Sequence, residues 1–148
     1  MIEKATALVE ELSKKFDYVE VNEQSTVIIP ADKLLEFMQA LRDDYGMDFL
    51  TNETAADYPS ENKFEVIYNI SSIEKGFTIM VKTSVDRDNP ELPSVFPIWG
   101  GANWQEREIY DLMGIVFTGH PNLVRILMPY DYEGHPLRKD FQWKGGRE

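Results

Sequence analysis

The stretch from Lys63 to Val85 constrains the fold of this 148-residue chain more than any other. Phe77, Ile79, Val81 and Thr83 alternate with Thr78, Met80 and Lys82, the pattern of a strand with one buried and one exposed face. A second extended segment, Lys63 to Ser72, precedes it, and Glu74-Lys75-Gly76 supplies the turn between them. So short a connection makes the two strands an antiparallel pair. The remaining elements must cover the apolar face of that pair.

Candidates for the cover lie upstream. Ile2, Ala5, Leu8, Val9, Leu12 and Phe16 recur at three- and four-residue spacing, with charged residues around the rest of the turn, so Ile2 to Phe16 reads as an amphipathic helix. Asp17 to Asn22 and Thr26 to Pro30 read as a short hairpin around Glu23-Gln24-Ser25. Leu34, Leu35, Met38 and Leu41 mark a second helix that stops at Gly46, and Asp48 to Ala55 is a further extended segment. From Asp86 to Gly101, Pro90, Pro93, Pro97 and the Gly100-Gly101 pair interrupt regular structure. The expected fold class is therefore α+β, a mostly antiparallel mixed sheet with helices packed on it and an extended C-terminal tail. Residues 1–117 are expected to form a single domain and 118–148 an extended docking tail.

Chemistry is limited by what the sequence lacks. It contains no cysteine, so no thiolate can hold zinc or an iron–sulfur cluster or act as a nucleophile. No apolar run approaches the roughly 20 residues of a membrane helix. The start, MIEKATALVEELSKKF, mixes acids into its apolar positions and does not resemble a secretory signal, which predicts a cytoplasmic protein. A net charge of −11 argues against nucleic acid and anionic lipid as partners. The charge is uneven: through Trp104 acids outnumber bases 19 to 9, whereas from Gln105 onward the ratio is 7 to 6. Interleaved opposite charges in the last third are what a specific pairing surface presents.

That last third opens with a helix expected over Trp104 to Met113. Asn103 and Glu106 have capping-box spacing, and Gly114 supplies the stop. Ile109, Leu112 and Met113 fall on one arc for the sheet, and Trp104, Arg107, Glu108 and Asp111 on the opposite arc, with Arg107 and Asp111 spaced to pair. The proline- and glycine-rich chain beyond it must run extended over a surface. Its two turns, Gly119-His120-Pro121 and Gly134-His135-Pro136, raise a metal or acid–base reading, in which His120 and His135 join Glu108, Asp111, Asp131 or Glu133 in an independent metal-dependent hydrolase. No helical His-x-x-x-His pair supports it. A phosphate site at Gly100-Gly101 is opposed by Glu106 and Glu108 at the helix start. A docking surface is favoured, anchored by Trp104, Tyr130, Tyr132, Arg138 and Trp143.

The run Glu106-Arg107-Glu108-x-x-Asp111-x-x-Gly114-Ile115-x-Phe117-x-Gly119-His120-Pro121, then Arg125-Ile126-Leu127, then Asp131 to Phe141 (DYEGHPLRKDF), resembles the 30 kDa-type subunit of the proton-pumping NADH:quinone oxidoreductases, respiratory complex I. The resemblance implies a non-catalytic subunit of the peripheral arm on the cytoplasmic face of the plasma membrane, docked on the large, hydrogenase-like subunit of complex I. It also implies that NADH, flavin, iron–sulfur clusters and quinone belong to other subunits, with no cofactor here, and that membrane contact comes only through the complex. Relatives in hydrogenase-linked or other donor-linked membrane complexes are the alternative. Trp104, Glu106, Arg107, Glu108, Asp111, His120, Arg125, His135, Arg138 and Asp140 are then structural or interface residues. Replacing Arg138 by alanine is expected to lower assembly without unfolding the isolated chain, and residues from about Phe141 onward are expected to be mobile without partners.

Overall fold

A computed structural model describes residues 2–129 and 131–140. The expectations for Tyr130, Trp143 and the stretch from Phe141 onward lie outside the described residues. Helix α1 (Ile2–Lys15) leads into the short strands β1 (Glu20–Val21) and β2 (Val27–Ile28). Helix α2 (Leu34–Tyr45) follows a single 3-10 turn and ends where Gly46 adopts the left-handed conformation (φ 68°). Three long strands come next: β3 (Phe49–Tyr58), β4 (Lys63–Ser72) and β5 (Phe77–Asp86). The sheet order is β1-β2-β5-β4-β3, antiparallel except where β2 runs parallel to β5.

The alternation in β5 has the consequence expected of it. Phe77, Ile79, Val81, Thr83 and Val85 are buried, and Thr78, Met80, Ser84 and Asp86 are exposed. Leu12 of α1 and Leu34, Phe37, Met38 and Leu41 of α2 complete the core against the buried face. Each such side chain contributes roughly 1.5–3 kcal/mol when fully buried.

Strand β3 breaks the alternation. Leu50 pairs with Ile70 and Asn52 with Asn69, so one residue of β3, Thr51, has no counterpart in β4. Such a bulge reverses which side chains point inward from there on. Leu50 is buried before the bulge; after it the buried positions are Glu53 and Asp57. An acid thereby enters the core.

The segment from Asp86 to Gly101 is more ordered than its prolines imply. Glu91–Pro93 forms strand β6, helix α3 spans Ala102–Met113, and Val116–Thr118 forms β7, which pairs parallel with β6 as a small second sheet. Pro93 is tolerated because the pair is only three residues long. The connector is tied down by the Trp99 indole, which donates to the Met47 carbonyl at 3.1 Å, and by Arg42, which donates to the Ile98 carbonyl at 3.1 Å.

Candidate functional site

Helix α3 is the element around which the candidate residues gather, and its start differs from the expected capping box. Gly101 occupies the cap with no side-chain bond, and Asn103 lies inside the first turn with its side-chain oxygen buried and unpartnered. Glu106 turns inward instead: Ser94 Oγ donates to its Oε1, and the Val95 N–H donates to its Oε2 at 3.0 Å. The connector offered a fixed donor pair, and a buried carboxylate satisfied by two donors outweighs an exposed cap.

The expected Arg107–Asp111 pair is also replaced. Asp111, placed by helical periodicity on the outer arc, is fully buried because residues 124–128 pass over it. Its Oδ2 accepts the N–H groups of Ile126, Leu127 and Met128 at 3.0, 2.6 and 2.8 Å, and its Oδ1 faces Arg125 Nη1 at 3.3 Å. Burial would push this carboxyl up, but the three backbone donors and Arg125 outweigh it and hold Asp111 below the usual carboxylate range. Arg107 donates instead to the carbonyls of Val124 and Arg125 at 3.1 and 3.2 Å, and its guanidinium lies 4.8 Å from the centre of the Trp104 ring. Two residues spaced to pair with one another thus clamp the same loop, one by its N–H groups and one by its carbonyls.

Both histidines are turn residues with assigned bonds. Asn122 N–H donates to His120 Nδ1 at 3.0 Å, which leaves Nε2 to carry the proton toward the Asn103 carbonyl at 3.1 Å. His135 Nδ1 lies 2.9 Å from the Asp111 carbonyl, which can only accept, so the proton sits on Nδ1. Arg125 Nη2, 3.2 Å from the same nitrogen, sends its hydrogen to the Gly134 carbonyl. Among the described residues no group of three or more His, Asp or Glu side chains could hold a metal ion.

The His135 ring rests on Gly114, which ends α3 at φ 82°. A Cβ there would stand 2.8 Å from His135 Cδ2. Gly114→Ala should therefore combine the roughly 1–2 kcal/mol cost of a left-handed alanine with displacement of His135 from the Asp111 carbonyl. Thermal unfolding and the His135 ring resonances would report both; a variant unchanged in both would show that this contact does not hold the tail.

A second anchor fixes residues 139 and 140. Arg87 meets Asp57 through Nε–Oδ1 at 2.7 Å and Nη2–Oδ2 at 3.1 Å, and the Lys139 N–H donates to Asp57 Oδ2 at 2.7 Å. Asp140 reaches Arg87 at 3.2 Å and Arg138 at 2.9 Å. Arg87 and Arg138 both lie over the Phe64 ring, at 5.5 and 5.1 Å. Burial would raise Asp57, but Arg87, the Lys139 N–H and Arg138 hold it below its ordinary value. Sequence reading singled out neither Asp57 nor Arg87, since nothing local links them to residue 139.

Trp104, Leu127 and Leu137 remain more than half exposed. They lie along one assembly, because Arg107 joins Trp104 to Val124, Asp111 holds Leu127, and the Leu137 N–H donates to the Leu112 carbonyl at 2.8 Å. Glu108 is exposed on the same helix. Asp111, Arg125 and His135 are brought together as internal structure, Glu106 is buried apart from them on Ser94 and Val95, and Arg107, His120, Arg138 and Asp140 link the tail to the body.

The profile of the family described as respiratory-chain NADH dehydrogenase, 30 kDa subunit, matches residues 27–147. A relative from Moorella thermoacetica, named as a subunit of NADH-quinone oxidoreductase, is 46% identical over 93% of this chain and 97% of its own length. Among solved structures, the trypsin-resistant fragment (1-134) of Nqo5 is 33% identical, with a TM-score of 0.68 over 80% of this chain and 99% of the fragment. A chain of the membrane-bound sulfane sulfur reductase, an archaeal respiratory membrane complex, is 28% identical, with a TM-score of 0.82 over 94% of this chain and 86% of its own.

Proposed function

Since the chain belongs to the 30 kDa subunit family of the respiratory-chain NADH dehydrogenases, we propose that it is a non-catalytic peripheral-arm subunit of a proton-translocating NADH:quinone oxidoreductase. It supports electron transfer from NADH to quinone by docking on the large, hydrogenase-like subunit at the cytoplasmic face of the plasma membrane. The near full-length similarity to the Moorella relative carries this reading. Flavin, iron–sulfur clusters and quinone are assigned to the other subunits, in keeping with a sequence that has no cysteine to ligate a cluster. Membrane attachment is assigned to partners, and no helix among the described residues is long and apolar enough to cross a bilayer. The isolated chain has no activity of its own in this reading.

The docking surface is the one built on α3, with Trp104, Leu127 and Leu137 as apolar anchors. Purification of the tagged chain from its own cells should recover a large hydrogenase-like subunit together with NADH:quinone activity. Trp104→Ala should weaken that association by about 2 kcal/mol, roughly thirtyfold, without lowering the melting temperature of the isolated chain. Full assembly of the variant would remove α3 from the interface. The sulfane sulfur reductase neighbour favours a second reading, the homologous subunit of a complex with another electron donor. Co-purification with donor-handling subunits and no NADH oxidation would decide for it.

A further inference from the structure

Two buried carboxyl groups, Glu53 and Glu106, lie within electrostatic reach of one another between β3 and α3, where the Glu53 N–H is bonded to Gln105, and neither has a cation opposite it among the described residues. Glu53 is carried inward by the bulge in β3 and is 4% exposed; Glu106 comes from α3 and is fully buried. The hydroxyl and amide donors at this place are already committed to Glu106, through Ser94 and Val95. Both carboxyl oxygens of Glu53 lack a conventional donor, although its backbone N–H is held by Gln105 Oε1. Tyr68, directly opposite Glu53 in the β3–β4 ladder and wholly buried, has a hydroxyl without a partner and lies within electrostatic reach of both acids.

Among the described residues the titratable groups facing the pair are few. From β3 comes Glu53, from β4 Tyr68 and from α3 Glu106, while the connector contributes only neutral Ser94 and Val95. Further along β3 the inward Asp57 is committed to Arg87. Neither glutamate has an ion-pair partner among the described residues.

An ionised carboxylate only accepts hydrogen bonds, so two facing carboxylates cannot bond unless one carries a proton. Two like charges in contact inside a protein core also repel strongly, and the usual resolution is that one site stays protonated. The surroundings decide which one. Glu106 already has two donors that stabilise its charged form, whereas Glu53 has none. We infer that Glu53 and Glu106 form a proton-binding site at the seat of α3, in which Glu53 holds one proton at neutral pH and donates it to the Glu106 carboxylate. Burial, followed by the neighbouring Glu106, pushes Glu53 well above the ordinary carboxylate range, in agreement with that assignment. Loss of the proton would place two negative charges between β3 and α3, so the site ties proton binding to the position of the helix that carries Trp104 and Arg107.

A raised folded-state pKa means that the folded chain holds a proton that the unfolded chain has released. The folding equilibrium constant should then fall tenfold per pH unit, from about pH 4.3 upward to the folded-state pKa of Glu53. Glu53→Gln mimics the protonated form and removes the part of this dependence that Glu53 supplies, leaving that of Glu106, which burial also raises. Stability measured against pH on the full chain should show wild type losing ground to Glu53→Gln across that window, the variant being the more stable at neutral pH. Infrared spectra at neutral pH should show the C=O stretch of a protonated carboxyl in wild type and not in Glu53→Gln. A wild-type spectrum without that band would overturn the proposal even if the variant failed to fold. So would a band that survives Glu53→Gln, or two stability curves that run parallel.

Discussion

Asp111→Ala is expected to release residues 126–128 from α3 and to cost about 3–5 kcal/mol, the range for removing one partner of a buried ion pair. The substitution removes the single acceptor for three consecutive N–H groups and leaves Arg125, whose side chain is 8% exposed, beside an apolar methyl. His135 would lose its neighbour's support although its bond to the Asp111 backbone carbonyl can persist. The loss should appear as rapid amide exchange at Ile126, Leu127 and Met128 and as new tryptic cleavage after Arg125. Asp131→Ala, an exposed turn substitution, serves as the control. If exchange at those three amides matched wild type, the tail would be held by something other than this carboxylate.

The second large effect is expected at residues 138–140. Asp57→Ala removes the acceptor shared by Arg87 and the Lys139 N–H, at roughly 1.5–3 kcal/mol for a hydrogen bond to a charged group. Trypsin should then cut after Arg138 and Lys139 in a chain whose sheet remains folded. Acid should reproduce both releases in wild type. The carboxyls of Asp111 and Asp57 are held below their ordinary value, so the stability they contribute is fully present above about pH 3.9 and is lost as pH falls from there through their folded values. Acid release of residues 126–128 that is lost in Asp111→Ala, and of residues 138–139 that is lost in Asp57→Ala, would identify these groups. A tail that stayed protected through that range would contradict the assignment. This acid limb is opposite in sign to the effect expected of Glu53, whose proton favours the folded state.

The two ends of α3 show how far local reading reaches. Gly114 was legible as a stop because a left-handed residue is required one step past a helix, and only glycine adopts it without strain. The N-terminal capping box was equally well spelled, yet Glu106 went to Ser94 and Val95, which only the folded connector brings within reach. Arg107 and Asp111 had the spacing of a surface pair, worth about 0.3–0.5 kcal/mol. A passing loop offered Asp111 three amides and Arg107 two carbonyls, and that stronger set prevailed.

What the sequence determined by itself is whatever depends on neighbours a few residues away: the two-faced hairpin of β4 and β5, the amphipathic α1 and α2, the turn glycines, and the family motif from Glu106 to Phe141. Hydrophobic periodicity encodes which face is buried, so these survive any change of distant context. Tertiary structure alone decided that a one-residue bulge turns Glu53 inward to meet Glu106, and that Asp57 receives Arg87 and residue 139. A carboxylate's partner is set by which donors the fold brings within about 3 Å, and no spacing along the chain records that distance.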